Sequence, residues 1–250
     1  MPLLVGNTSR AVPTLASDTT NTQVRVSQYG DLCTSQYGDA HSSLANEGLY
    51  FKAFNATPGT GQNMTTVQTS FNPTRCYLQF QVPNIGDAKV RVFLDYIRLI
   101  CTSAGASSTT FQAALVVDYN RATSSAGTLS LGTNVNNSYS RNNAIAQVWA
   151  GDITMAAATT LARTVFRTQM RTATAPTLAV GDLYSFDFGE VSHQSQFQGT
   201  TTPAAAAAAY THFTGPLILS SDSTVSLHIW GAGMASTAPS FEFEVGWWER

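Results

Sequence analysis

The sequence predicts an all-β protein, a jelly-roll-like antiparallel β-sandwich with an extended N-terminal arm and one short helix. Three observations lead there. Apolar and polar residues alternate over several short segments, the pattern of half-buried strands. Stretches rich in Gly, Ser, Thr and Asn separate those segments. Helical periodicity is almost absent. At 250 residues the chain has a length that an all-β sandwich fills as one unit. The expected division is an arm over residues 1–22 and a single sandwich domain over residues 23–250.

Residues 6–21 are polar and aperiodic, with Pro13 among several Ser and Thr, so they have no core of their own and are expected to order on a neighbouring subunit. A first strand reads at Gln23–Ser27. The pentapeptide Ser-Gln-Tyr-Gly-Asp then occurs twice, at Ser27–Asp31 and Ser35–Asp39, and its Gly-Asp pairs indicate turns. Asp39 is a suitable N-cap and Gly48 a suitable terminator, which places the short helix between them. The run Ala204–Ala209 has helical propensity but no amphipathic face, and is assigned to a surface excursion.

The clearest strands come next. Cys76, Leu78, Phe80 and Val82 alternate with Tyr77, Gln79 and Gln81, giving one buried and one wet face. Between Ala88 and Cys101 the apolar parity runs through Val90, Val92 and Leu94 and then shifts to Ile97, Leu99 and Cys101, which a long strand accommodates by a β-bulge or by burial on both faces, the bulge being the favoured reading. Further strands read at Phe111–Val117 and around Val148, Val165 and Phe186. The last two, around Leu227 and Phe243, alternate cleanly, and the connection Gly231–Pro239 is short enough for them to pair as a hairpin. Eight to ten such strands suggest two sheets, with a jelly roll as the leading topology. The polar stretches Ala122–Asn143 and Ser192–Thr214 are expected as long loops projecting from the sandwich ends.

Composition narrows the function. Charged residues make up 11 % of the chain, against about 25 % in an ordinary soluble domain. With a net charge of −2 and only two lysines, Lys52 and Lys89, there is no basic stripe for phosphate, so nucleic acid is not an expected direct partner. Low charge also removes the repulsion that keeps proteins apart, and the surface is suited to packing against other subunits. Met1–Gly6 lacks the features of a secretion signal and no run reaches the length of a membrane span, so neither export by that route nor membrane insertion is expected. Cys33, Cys76 and Cys101 are far apart and form no metal-ligand spacing, which points to buried free thiols and synthesis in a cytoplasm.

Catalytic signals are sparse. Glu242 and Glu244 lie two residues apart on one strand face, about 7 Å from each other, a separation compatible with glycoside hydrolysis. Alternating glutamates are also the ordinary way to keep a strand face wet. In a terminal hairpin His228 would lie opposite Glu242 as an ion pair. The histidines His41, His193, His212 and His228 are scattered, Gly59-Thr60-Gly61 lacks the lysine of a phosphate loop, and no nucleophile-elbow pattern is present, so neither an enzyme nor a cofactor is expected. Asn-x-Ser/Thr patterns at Asn7, Asn55, Asn63 and Asn136 carry no weight in a chain this rich in Asn and Thr. Of Trp247 and Trp248, one should face the core and the other the opposite side.

Two stretches carry a family resemblance: Ala40–Phe51 together with Ala56-Thr57-Pro58-Gly59-Thr60-Gly61, and the ending Phe241–Arg250. They resemble small structural proteins of tailed bacteriophages. The resemblance implies a virion component made in the host cytoplasm, with the major capsid protein and copies of itself as partners. Within that class, a sandwich with an extended arm looks like a cement or decoration protein that clamps the head as a trimer. Val5, Thr14 and Leu15 in the arm, with Trp248 and Arg250, are the expected interface residues. Two other classes stay open: a tail or head-fibre module holding a host glycan on Trp149 or Trp248, and a polysaccharide hydrolase using Glu242 and Glu244.

Overall fold

Extended segments whose alternate residues are apolar gain stability only when the apolar sides of two sheets face each other. That is the arrangement found. The structure, a computed structural model, describes residues 45, 48–64, 67–86, 90–105, 110–121, 123–125, 127–136, 143–171, 178–189, 196–198, 209–232, 234 and 237–249. Along them run β1 (Tyr50–Phe54), β2 (Gln62–Asn63), β3 (Arg75–Gln81), β4 (Arg91–Ser103) and β5 (Thr110–Tyr119). Next come β6 (Thr123–Ser125), β7 (Thr128–Leu131), β8 (Thr133–Asn134), β9 (Gln147–Met155), β10 (Arg163–Arg171) and β11 (Leu183–Phe188). The last five are β12 (Gln196–Gln198), β13 (Ala209–Thr214), β14 (Leu217–Ser220), β15 (Ser223–Ala232) and β16 (Ser240–Glu249).

They form two largely antiparallel sheets. One has the order β12-β13-β11-β4-β16-β1-β8, with β14 also on β4 and β2 on β16. The other has the order β10-β5-β15-β3-β9-β6, with β7 also on β9. The pairing of β11 with β13 is parallel. The sheets meet through aromatic contacts: Phe80 on Trp247 at 5.2 Å, Tyr77 on Phe241 at 5.4 Å and Phe166 on Phe186 at 5.2 Å. Phe51, Leu78, Leu99, Leu115, Leu227 and Val245 belong to the same core, which makes the fold all-β and β-sandwich-like.

Several expectations hold. The parity shift in β4 is a bulge: Gly246 pairs with Tyr96 and Trp247 with Leu94, so Asp95 is the extra residue. Cys76 and Cys101 are buried free thiols, and burial pushes the Cys76 thiol well up. Asn55 is buried, donating to Thr60 O at 2.8 Å and accepting the Phe243 amide at 2.8 Å.

Other expectations are corrected. β15 and β16 do not form a hairpin; β15 lies between β3 and β5, and β16 between β1 and β4, in different sheets. His228 therefore never faces Glu242. It is buried, with Nδ1 donating to Arg75 O at 2.6 Å and Nε2 3.0 Å from Ser226 Oγ, and its pKa is pushed down to about 4, chiefly by burial. Nor do the two polar stretches simply project: β6, β7 and β8 fall within Ala122–Asn143, and β12 and β13 within Ser192–Thr214. Threonine and serine, though polar, satisfy a ladder as well as apolar residues do, and these short strands cover sheet edges. β1 was not anticipated. The arm over residues 1–22, the strand at Gln23–Ser27 and the pentapeptide repeat lie outside the described residues, as does the helix segment apart from Ala45 and Gly48. Gly48 has φ +73° and its amide donates to Ala45 O at 3.0 Å.

Candidate functional site

Register alone composes the outer face of the larger sheet. Tyr50 pairs with Trp248, Trp248 with Phe93 and Phe93 with Ile218, so four apolar side chains form a row across β1, β16, β4 and β14. The Tyr50 and Trp248 rings are 6.3 Å apart, and those of Phe93 and Trp248 5.6 Å with their planes 19° from parallel. Such cross-strand ring pairs each contribute about 0.5–1.5 kcal/mol beyond area burial. Ile218 ends the row 54 % exposed.

The neighbouring row is polar: Lys52, Gly246, Tyr96, Asp187 and then Phe213. Gly246 makes it possible. A Cβ there would stand 2.5 Å from the Tyr96 ring and 2.6 Å from the Tyr50 hydroxyl. Tyr50 Oη donates to Asp95 Oδ2 at 2.6 Å, while Tyr96 Oη and Lys52 Nζ both donate to Glu244 Oε1, at 2.5 and 2.9 Å. The Arg98 guanidinium stacks on the Tyr96 ring at 4.3 Å.

Burial pushes the Glu244 carboxyl up, but the hydrogen bonds from Lys52 and Tyr96 and the charges of Lys52 and Arg98 outweigh it and hold the group below its ordinary range. The Tyr96 phenol is pushed up to about 12, first by burial and then by its bond to Glu244. Replacing Gly246 by alanine is expected to displace both tyrosines and cost about 1–3 kcal/mol. Thermal unfolding and near-ultraviolet circular dichroism, which reports tyrosine packing, check this; an unchanged spectrum and midpoint would contradict it.

A groove of about 460 Å³ opens on this face where β4 changes neighbour, pairing with β14 through Arg91–Leu94 and with β11 through Tyr96–Ile100. The Asp95 bulge sits at that switch. Phe93, Phe213 and Trp248 line the groove with their rings, Phe188 borders it from the core side, and Asp95, Asp187 and Arg98 supply its charged groups.

The structure brings together some of the residues singled out in the sequence and separates others. Trp247 is in the core and Trp248 on the outer face, as alternation requires. With Tyr50 on one side and Phe93 on the other, the Trp248 ring is part of a ladder rather than an isolated stacking platform. Trp149 packs on the small cluster of Cys76, Ile153 and Met155. Glu242 accepts the Gly59 amide at 3.2 Å, and Glu244 is the hub described above, held in the direction opposite to that of a general acid. Val5, Thr14, Leu15 and Arg250 lie outside the described residues.

Sequence reading missed Tyr96, Arg98, Asp187 and Phe213. Two signals pointed toward them: the parity shift at Asp95 and a glycine inside an alternating strand, a mark of close approach by another group. Among the described residues no group of three His, Cys, Asp or Glu could hold a metal ion. Comparison with family models, curated proteins and solved structures finds no match.

Proposed function

We propose that this chain is a non-enzymatic structural protein of a tailed-phage particle, a cement or decoration protein that binds the head shell as a homotrimer through a jelly-roll domain. The strand pairings support the topology. A jelly roll is a long hairpin of four antiparallel pairs rolled into two sheets. Here β1 pairs with β16, β3 with β15, β4 with β11 and β5 with β10, all antiparallel. Rolling such a hairpin sets β16 beside β4 and β15 beside β5, and both pairings occur. β9 is an addition beside β3.

The observation that carries the assembly reading is the apolar row Tyr50–Trp248–Phe93–Ile218 on an outer sheet face, in a chain whose surface has little charge to oppose contact. Sedimentation equilibrium should find a trimer, and Ile218→Glu should shift it toward monomer without loss of β-structure. Purified protein should also bind expanded head shells, and electron cryo-microscopy placing it in the tail would refute the cement role. A second reading, a fibre-type module holding a host-surface glycan, is favoured by the ring-lined groove.

A further inference from the structure

We infer that the groove at the Asp95 bulge is a binding site for a neutral saccharide, with Asp187 and Arg98 as its hydroxyl-binding pair. This rests on and deepens the glycan reading; the groove shares Phe93 and Trp248 with the apolar row, but sugar binding and shell binding are read by separate assays. The cavity, about 460 Å³, falls within the roughly 300–1,000 Å³ of ligand clefts and has their composition, mostly apolar with a few convergent polar groups.

A sugar presents two chemistries at once. Its C–H faces are apolar and pack on rings, here those of Phe93, Phe213 and Trp248. Its hydroxyls both donate and accept, so they are matched by an acceptor and a donor side by side, and a carboxylate beside a guanidinium supplies both in their stronger, charge-assisted form. Asp187 and Tyr96 are directly paired across β11 and β4, and Arg98 lies on the Tyr96 ring, which sets its guanidinium beside the Asp187 row. Asp187 Oδ1 accepts the Ser185 hydroxyl at 2.7 Å, which orients the carboxylate. Arg98 is exposed and makes no hydrogen bond among those described, so stacking presents its donors without consuming them. The bulge adds Asp95, whose Oδ2 accepts from Tyr50.

Charge selects among ligands. Two carboxylates and one guanidinium leave the lining at −1, which disfavours phosphates and uronic acids and leaves neutral sugars as the complement.

Saturation-transfer NMR with the full-length protein tests this, using galactose, glucose, mannose, N-acetylglucosamine, lactose and maltose, with glucuronate as the charged control. At least one neutral sugar should bind at millimolar concentration and glucuronate should not. Asp187→Asn and Arg98→Ala should each weaken binding by about tenfold, the loss of one charge-assisted hydrogen bond. Arg98 is exposed, so its replacement keeps the test valid should Asp187→Asn fail to fold. The inference is overturned if no neutral sugar binds, if glucuronate binds as well, or if binding survives Arg98→Ala unchanged. Those results leave the shell-binding assay of the assembly reading untouched.

Discussion

Replacing Trp247 by alanine is expected to lower the unfolding free energy by about 3–5 kcal/mol. The side chain is fully buried and joins the two sheets, stacking on Phe51 at 6.1 Å and meeting Phe80 edge-on at 5.2 Å. Gly132 leaves it room, since a Cβ at that position would stand 2.5 Å from the ring. The indole Nε1 donates to Glu249 Oε1 at 2.9 Å, and the same carboxylate accepts the Ile145 and Ala146 amides at 2.9 Å each. Alanine would thus leave a cavity between the sheets and take one donor from a buried carboxylate. Urea denaturation should show a lower midpoint at an unchanged slope. Trp247→Phe, which keeps a six-membered ring but loses the donor and the volume of the five-membered ring, should cost less than alanine, about 1–3 kcal/mol. If alanine cost under about 1 kcal/mol, the sheets would not depend on this residue for their closure.

The second large effect is expected at the buried pair of Asp118 and Arg121. Both side chains are 1 % exposed, with Arg121 Nε 3.9 Å from Asp118 Oδ2. Arg121 Nε donates to Ala156 O at 3.0 Å and Nη2 to Pro73 O, and Nη1 has no hydrogen-bond partner among the described residues. Asp118→Ala should cost about 3–5 kcal/mol, because it leaves a buried guanidinium uncompensated. The double replacement Asp118→Leu with Arg121→Met should recover most of that loss, since an apolar pair has no charge to desolvate.

Acidity reports on the same site. Burial pushes the Asp118 carboxyl up, but the hydroxyl and amide of Thr159, the Tyr119 amide and the charge of Arg121 outweigh it, and the pKa is lowered. A group whose folded pKa lies below its unfolded value of about 3.9 contributes fully above that pH. Its contribution fades as the pH falls through the folded value. Wild-type stability should therefore drop below about pH 4 by a component that Asp118→Asn lacks. Matching acid limbs in the two proteins would refute the assignment.

Much of the scaffold was legible. The strands around Leu78, Leu99, Leu115, Leu227 and Phe243 follow from period-two alternation, and the bulge at Asp95 from a break in that alternation. β6, β7 and β8 were not legible, because Thr, Ser and Asn in a ladder at a sheet edge look the same in sequence as they do in a loop. The site was hidden for a different reason. Glu244 reads as an ordinary wet-face glutamate until Lys52 and Tyr96, from two flanking strands, converge on it.

What the sequence by itself determined is therefore the class of the fold and the position of each strong strand, since alternation is a local property of extended backbone. The facing was not always so determined, because Tyr77 and Gln79, expected on a wet face, are buried, with Tyr77 in the core against Phe241 and Cys76 in a separate small cluster across a register shift. Which strand lies beside which was decided only in the tertiary structure. β15 and β16 alternate equally well, and the short connection between them invited a hairpin, yet each is held between two other strands in a separate sheet. Pairing there is chosen by the total apolar surface that two whole sheets bury against each other, a quantity no window of sequence contains. The outer face inherits that choice: Tyr50, Phe93, Trp248 and Ile218 become one row only after β1, β4, β14 and β16 have become neighbours.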